Sequence, residues 1–304
     1  MKPPRRVPLP WQTAKSAEDD PQAPARLAAI LNSPSYTPGA ADTAFLQRDD
    51  QRGERLQLDY LKPELMLQAA GIKHAIVVFG STRIAEPAAA QRRLALARAA
   101  AERAPDDAEL QRRAAVAARL AAHSRYYDVA REFGRLVARC NPDPHRAATV
   151  IMTGGGPGIM EAANRGAFDA NVHTVGLNIE LPHEQYPNPY VTPELCFRFH
   201  YFAMRKLHFL QRARALVAFP GGFGTLDELF ETLTLLQTRK MGAVPVVLVG
   251  SDYWRRVIDI PFLIAEGVID PEDAGLFWFA EDAASIWNSI VAWYRQAGED
   301  LFGG

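Results

Sequence analysis

TVIMTGGGPGIM, residues Thr149–Met160, and ALVAFPGGFGTLDE, residues Ala215–Glu228, decide the fold of this chain. Each is a short apolar run, rich in β-favouring residues, that stops in a cluster of glycines and resumes with helix formers. Runs this short, bounded by glycine, suit a buried strand rather than a helix. Glycine directly after the strand permits a tight turn, and the helix that follows opens with unpaired N–H groups. AIVVFGSTR at Ala75–Arg83 has the same form. Thr174–Ile179, Pro245–Val249 and, more weakly, Leu276–Phe279 are further strand-like runs. Strands alternating with helical patterns predict an α/β fold: a doubly wound, Rossmann-like parallel sheet in three layers with right-handed crossovers.

Working outward, residues 61–70 read as a short helix ended by Gly71. Residues 87–139 are mostly Ala, Arg, Leu and Glu, more than one crossover helix needs. They predict two helices with a break at Ala104–Asp107. Pro182, Pro187, Pro189 and Pro193 mark a stiff loop, and Thr192-Pro193-Glu194 reads as the start of a helix. Residues 1–60 form a loosely structured amino-terminal arm on this reading, with a helix near Pro24–Leu31. Residues 61–300 form a single domain, with a helical insert over about 87–122 after the first strand.

The chain has 304 residues, of which 48% are apolar and 23% charged, with 34 Lys and Arg against 35 Asp and Glu. A near-neutral balance without an aromatic–basic stripe argues against a nucleic-acid partner. The basic start, MKPPRRVPLPW, lacks the apolar segment of a secretory signal, and no apolar run is long enough to span a bilayer. The expectation is a cytoplasmic protein with no membrane partner. Cys140 and Cys196 share no CxxC spacing, and the seven histidines form no HExxH pattern, so no metal is expected. His183 and His200 read as rim or packing residues.

The glycine turns carry the chemistry. Gly154, Gly155, Gly156 and Gly158 open one helix, and Gly221, Gly222 and Gly224 open another. Backbone N–H groups and the positive end of a helix favour phosphate at both. Gly80, Ser81 and Arg83 add a hydroxyl and a guanidinium at a third strand end. Neither the P-loop nor the dinucleotide spacing is present. Arg205 and Lys206 lie in a heavily apolar helix, where a positive pair calls for an anion. Glu228 has two readings: an acid one turn inside the helix after PGGFGT, or the partner of Thr225 in a capping box.

These motifs resemble the LOG-type nucleotide phosphoribohydrolases, a family long mislabelled as lysine decarboxylases. GGGPGIMEAAN at 154–164, MRK at 204–206 with PGGFGTLDE at 220–228, and FGSTR at 79–83 carry the resemblance, over roughly residues 70–270. It implies hydrolysis of the N-glycosidic bond of nucleoside 5′-monophosphates, AMP-like or cytokinin nucleotides, to free base and ribose 5-phosphate. It implies Arg205 and Glu228 as catalytic residues, and no cofactor. Gly80, Ser81, Arg83, Met204, Lys206, Thr225 and the glycines of both turns would bind substrate. Family members are dimers or larger homo-oligomers. Some relatives bind molybdenum cofactor without hydrolysis, so a non-catalytic nucleotide or molybdenum-cofactor carrier is the alternative.

Overall fold

The computed structural model describes residues 7, 9–140, 149–183, 186–299 and 301; most of the basic amino-terminal stretch lies outside them. The chain divides into two units, Met1–Leu58 and Asp59–Gly304.

The first unit holds α1 (Ala23–Leu31), α2 (Thr43–Leu46) and the beginning of α3 (Arg52–Ala69). None of its described residues is buried. Its order therefore rests on local bonds, such as the Asp42 carboxylate accepting from the Phe45 amide at 2.9 Å at the start of α2.

Among the described residues the second unit is built on seven strands, β1 (His74–Phe79), β2 (Thr149–Thr153), β3 (Thr174–Ile179), β4 (Cys196–Phe199), β5 (Ala213–Ala218), β6 (Val246–Val249) and β7 (Trp278–Ala280). All pair in parallel, in the order β4-β3-β2-β1-β5-β6-β7. This is the doubly wound α/β sheet the sequence predicts. The central strands are buried on both faces, which is why they read as unbroken apolar runs rather than alternating ones.

Helices α4 (Pro87–Arg103), α5 (Ala108–His123) and α6 (Arg125–Arg139) lie between β1 and β2. The break at 104–107 falls where expected, and the Asp107 carboxylate caps α5 by accepting from the Glu109 and Leu110 amides. A second break at Ser124, where the hydroxyl donates back to the Ala121 carbonyl, makes three helices of the expected two. Helices α7 (Ile159–Asp169), α8 (Phe202–Gln211), α9 (Phe223–Gln237), α10 (Ser251–Val257), α11 (Ile260–Ala265) and α12 (Ala283–Ala297) complete the unit. α6 packs against α7 and α12. Lys206 on α8 links to α9 through Asp227 and Glu231.

One expectation is corrected. Thr192-Pro193-Glu194 does not open an α-helix: a single 3₁₀ turn, Pro193–Leu195, leads into edge strand β4. The Thr192 hydroxyl accepts from the Thr174 amide at 3.0 Å instead of capping. The next four residues, Cys196-Phe197-Arg198-Phe199, alternate, and only Phe197 and Phe199 are buried, which is a strand period.

Candidate functional site

β1 is the point where the winding reverses: β2 to β4 lie on one side of it and β5 to β7 on the other. In such sheets the carboxyl ends of the strands flanking the reversal leave a crevice. The turns after β1, β2 and β5 meet there and are joined through the main chain. The Ser81 amide donates to the Pro220 carbonyl at 3.0 Å, and the Ile159 amide donates to the Ser81 carbonyl at 3.2 Å.

The turn after β2 is set by buried polar side chains. The Gly155 amide donates to the Thr153 hydroxyl at 2.9 Å, and that hydroxyl donates to Asn164 Oδ1 at 2.7 Å. Asn188 Nδ2 donates to the Gly156 carbonyl at 3.0 Å and to Asn164 Oδ1 at 2.9 Å. Gly155 has φ 69°, which a side-chain-bearing residue rarely adopts. Sequence reading missed Thr153, Asn164 and Asn188. The available signal was a polar residue at the end of a buried strand and another on the apolar face of α7.

A cleft of about 590 Å³ opens over these turns. Of the expected site residues, Gly80, Ser81, Arg83, Gly154, Arg205, Gly222, Gly224, Thr225 and Glu228 line it. The Arg205 side chain comes from α8, its Nε donating to the Leu177 carbonyl at 2.8 Å and its guanidinium lying 5.2 Å from the Phe209 ring centroid. It sits so close to Gly154 that a Cβ there would come within 2.5 Å of Arg205 Nη2. Burial pushes the Arg205 pKa down, while Glu228 and Asp227 oppose that.

Glu228 is only 6% exposed. Burial pushes its carboxyl up to about 7, against the pull of Arg205 and Lys206. The capping-box reading is overturned. α9 starts at Phe223 with Gly222 at the cap position and no side-chain cap bond. Thr225 is thus already inside the helix, its own amide donating to the Gly222 carbonyl at 3.0 Å. Among the described residues the Glu228 carboxyl makes no hydrogen bond or ion pair, and it lines the cleft.

The remaining expected residues lie outside the lining. Lys206 pairs with Asp227 at 2.9 Å and Glu231 at 3.1 Å. Met204 packs against the core. The carbonyls of Gly155 and Gly156 are engaged by Asn188, and Gly158 faces a neighbouring pocket with Arg165 and Tyr190. Gly221 is buried, its carbonyl accepting from the Tyr253 hydroxyl. Apolar side chains that sequence reading did not single out complete the cleft: Leu181, Phe202 and Phe223, the last 92% exposed.

His183 borders a small pocket beside Cys196, and His200 contacts Glu180 at 2.9 Å. Both cysteines are free thiols. Among the described residues no group of three or more His, Cys, Asp or Glu is placed to hold a metal, and no helix is long and apolar enough to cross a membrane.

Residues 160–290 match the model of a family described as "Possible lysine decarboxylase". A probable cytokinin riboside 5′-monophosphate phosphoribohydrolase of Oryza sativa subsp. japonica is 25% identical over 48% of this chain and 69% of its own length. Cytokinin riboside 5′-monophosphate phosphoribohydrolases of Arabidopsis thaliana and of the same rice are 29% and 30% identical, over 49% of this chain and 66% and 59% of theirs. These alignments take in about half of this chain. Among solved structures, the X-ray structure of TM1055 is 22% identical, covers 71% of this chain and 99% of its own, and has a TM-score of 0.43. The molybdenum cofactor binding protein of Rippkaea orientalis is 22% identical, covers 55% and 86%, and has a TM-score of 0.37. The matches to the family model and to the plant relatives bear out the resemblance to the LOG-type family read from the glycine motifs.

Proposed function

From a chain that resembles the LOG-type family over its glycine-turn core, we propose a hydrolase of nucleoside 5′-monophosphates that releases free base and ribose 5-phosphate. The observation that carries this reading is the pairing, in one cleft, of a phosphate cradle with an unengaged, buried carboxyl and a guanidinium.

The 5′-phosphate docks at the start of α9, where the first N–H groups of a helix lack helical acceptors. Arg83 and Ser81 face it from the turn after β1. That anchors the sugar with C1′ toward Glu228. Ionised Glu228 stabilises the positive charge developing at C1′ and takes a proton from the attacking water. The C1′–N bond breaks with its electron pair going to the base, the water oxygen bonds to C1′, and the base takes up a proton from solvent as it leaves, in exchange for the one Glu228 accepts from the water. Arg205 orients the substrate beside the leaving base, and its charge favours the ionised form of Glu228. The base lies against Leu181, Phe202 and Phe223, a wall suited to a purine or to its N6-substituted, cytokinin form.

A stoichiometric nucleotide carrier needs the same cradle but no proton acceptor at the sugar, and the free Glu228 carboxyl favours turnover. The exposed Phe202 and Phe223 of the cleft lining, with exposed Leu207 and Phe230 on the same helices α8 and α9, support a homo-oligomer, dimer or larger, measurable by light scattering. A nucleotide substrate also implies a cytoplasmic enzyme.

Incubation with AMP and an N6-isopentenyl AMP, followed by chromatography of free base, tests the reading. Release by the wild type and its loss in Glu228→Gln are expected. A wild type inert toward every common nucleoside monophosphate overturns it.

A further inference from the structure

We infer that Tyr253 is a positioning residue for the turn 220–225, and that the helical insert sets it through His123. This rests on the proposed phosphate site at that turn.

The Tyr253 hydroxyl on α10 donates to the Gly221 carbonyl at 2.5 Å. That carbonyl belongs to the same peptide unit as the Gly222 N–H. In a planar trans peptide the two point in opposite directions. Holding the carbonyl toward Tyr253 therefore aims the Gly222 N–H away from it, and Gly222 lines the cleft whereas Tyr253 does not. Gly221 also packs closely on the first turn of α9: a Cβ there would lie 2.1 Å from Thr225 Oγ1, so no side chain fits at this position.

Tyr253 is itself held. Its amide donates to the Gly250 carbonyl at 3.0 Å, and its ring meets Trp254 edge-on with centroids 5.4 Å apart. The third contact comes from the insert. His123, the last residue of α5, presents its ring edge-on to Tyr253 at 6.4 Å and stacks on Tyr126 of α6 at 5.8 Å. The carboxyl end of the insert thus buttresses the ring whose hydroxyl aims a cleft donor.

Tyr253→Phe keeps the ring and removes the bond. Isothermal titration of inorganic phosphate and of ribose 5-phosphate reads the cradle without turnover, and adenosine serves as the phosphate-free control. About fivefold weaker phosphate and ribose 5-phosphate binding is expected, the size of one lost hydrogen bond. Adenosine binding stays unchanged, and KM for AMP rises in proportion while kcat holds within twofold. His123→Ala weakens phosphate in the same direction, and adds nothing to Tyr253→Phe in the double variant. Unchanged phosphate binding in Tyr253→Phe, or equal weakening of phosphate and adenosine, overturns the inference; so does a wild type that binds no phosphate. If the phosphate effect appears but no base is released by the wild type, the positioning role stands and the hydrolase reading falls.

Discussion

Replacing Glu228 with Gln should make the protein more stable at alkaline pH than at acid pH, relative to wild type. In the unfolded chain this carboxyl ionises at its ordinary value near 4.5, and in the folded protein at about 7. Between those values the unfolded state has released a proton that the native state retains. Wild-type stability therefore falls as pH rises through this window, and the loss is complete above about 7. At about 1.36 kcal/mol per tenfold in proton affinity, the loss approaches about 3 kcal/mol. Glutamine cannot ionise, so the variant escapes it. The packing of the amide shifts the variant's stability by an amount that does not depend on pH, and it cancels when two pH values are compared. Urea unfolding of both proteins at pH 4.5 and pH 8 supplies the four free energies. The variant-minus-wild-type difference should grow by about 3 kcal/mol from the lower to the higher pH. A difference that stays flat within about 1 kcal/mol refutes the claim that burial holds the carboxyl protonated. The same side chain should be indispensable for turnover, with kcat falling by about 10²–10³ in the variant.

If ionised Glu228 is the proton acceptor, wild-type kcat should rise with pH through about 7 and level off above it; a profile flat from pH 5.5 to 8.5 counts against that role. Gly154→Ala places a methyl against Arg205 Nη2 and Met160 Sδ. Displacement of the guanidinium should lower kcat at least about tenfold with the circular dichroism spectrum unchanged. Arg212 and Glu64 form a buried two-bond ion pair at 2.7 Å, and the bond to Arg212 holds the Glu64 carboxyl below its ordinary value. Glu64→Gln leaves a buried guanidinium unpaired and should cost about 3–5 kcal/mol at neutral pH. Because the wild-type contribution is present above the ordinary carboxylate value and lost as pH falls through the lowered one, the gap in urea unfolding should narrow on acidification.

The strands of the sheet were legible because parallel strands covered on both faces read as continuous apolar runs, and five of the seven are such runs, while the three-residue edge strand β7 gave only a weaker one. β4 was not, because it is a four-residue edge strand with one buried face, following a proline whose position imitates a helix start. Arg205 and Glu228 could be singled out since charge in an apolar helix and acid after a glycine turn are anomalies along the chain. Which reading of Glu228 held could not be told: the capping alternative turns on whether α9 begins at Phe223 or three residues later, at Leu226, and helix boundaries read from sequence carry that uncertainty. Lys206 had the same local signal as Arg205, yet Asp227 and Glu231, more than 20 positions away, engage it. Thr153, Asn164 and Asn188 are separated by 11 and 24 positions and meet only in the folded protein.

Ser81 touches its two neighbouring turns through its amide and its carbonyl, not its side chain. An alanine scan would not report on these main-chain bonds, since Ser81→Ala leaves both in place and removes only the hydroxyl, which accepts from the Arg83 amide and lies in the cleft lining. A proline or an ester linkage at this position would be needed to reveal the knot. The same arrangement separates two kinds of inheritance. On the proposed function, mutational drift at Leu181, Phe202 or Phe223 can refit the mouth to a new base while the proposed sugar–phosphate anchor, written largely in main-chain atoms, passes through unaltered.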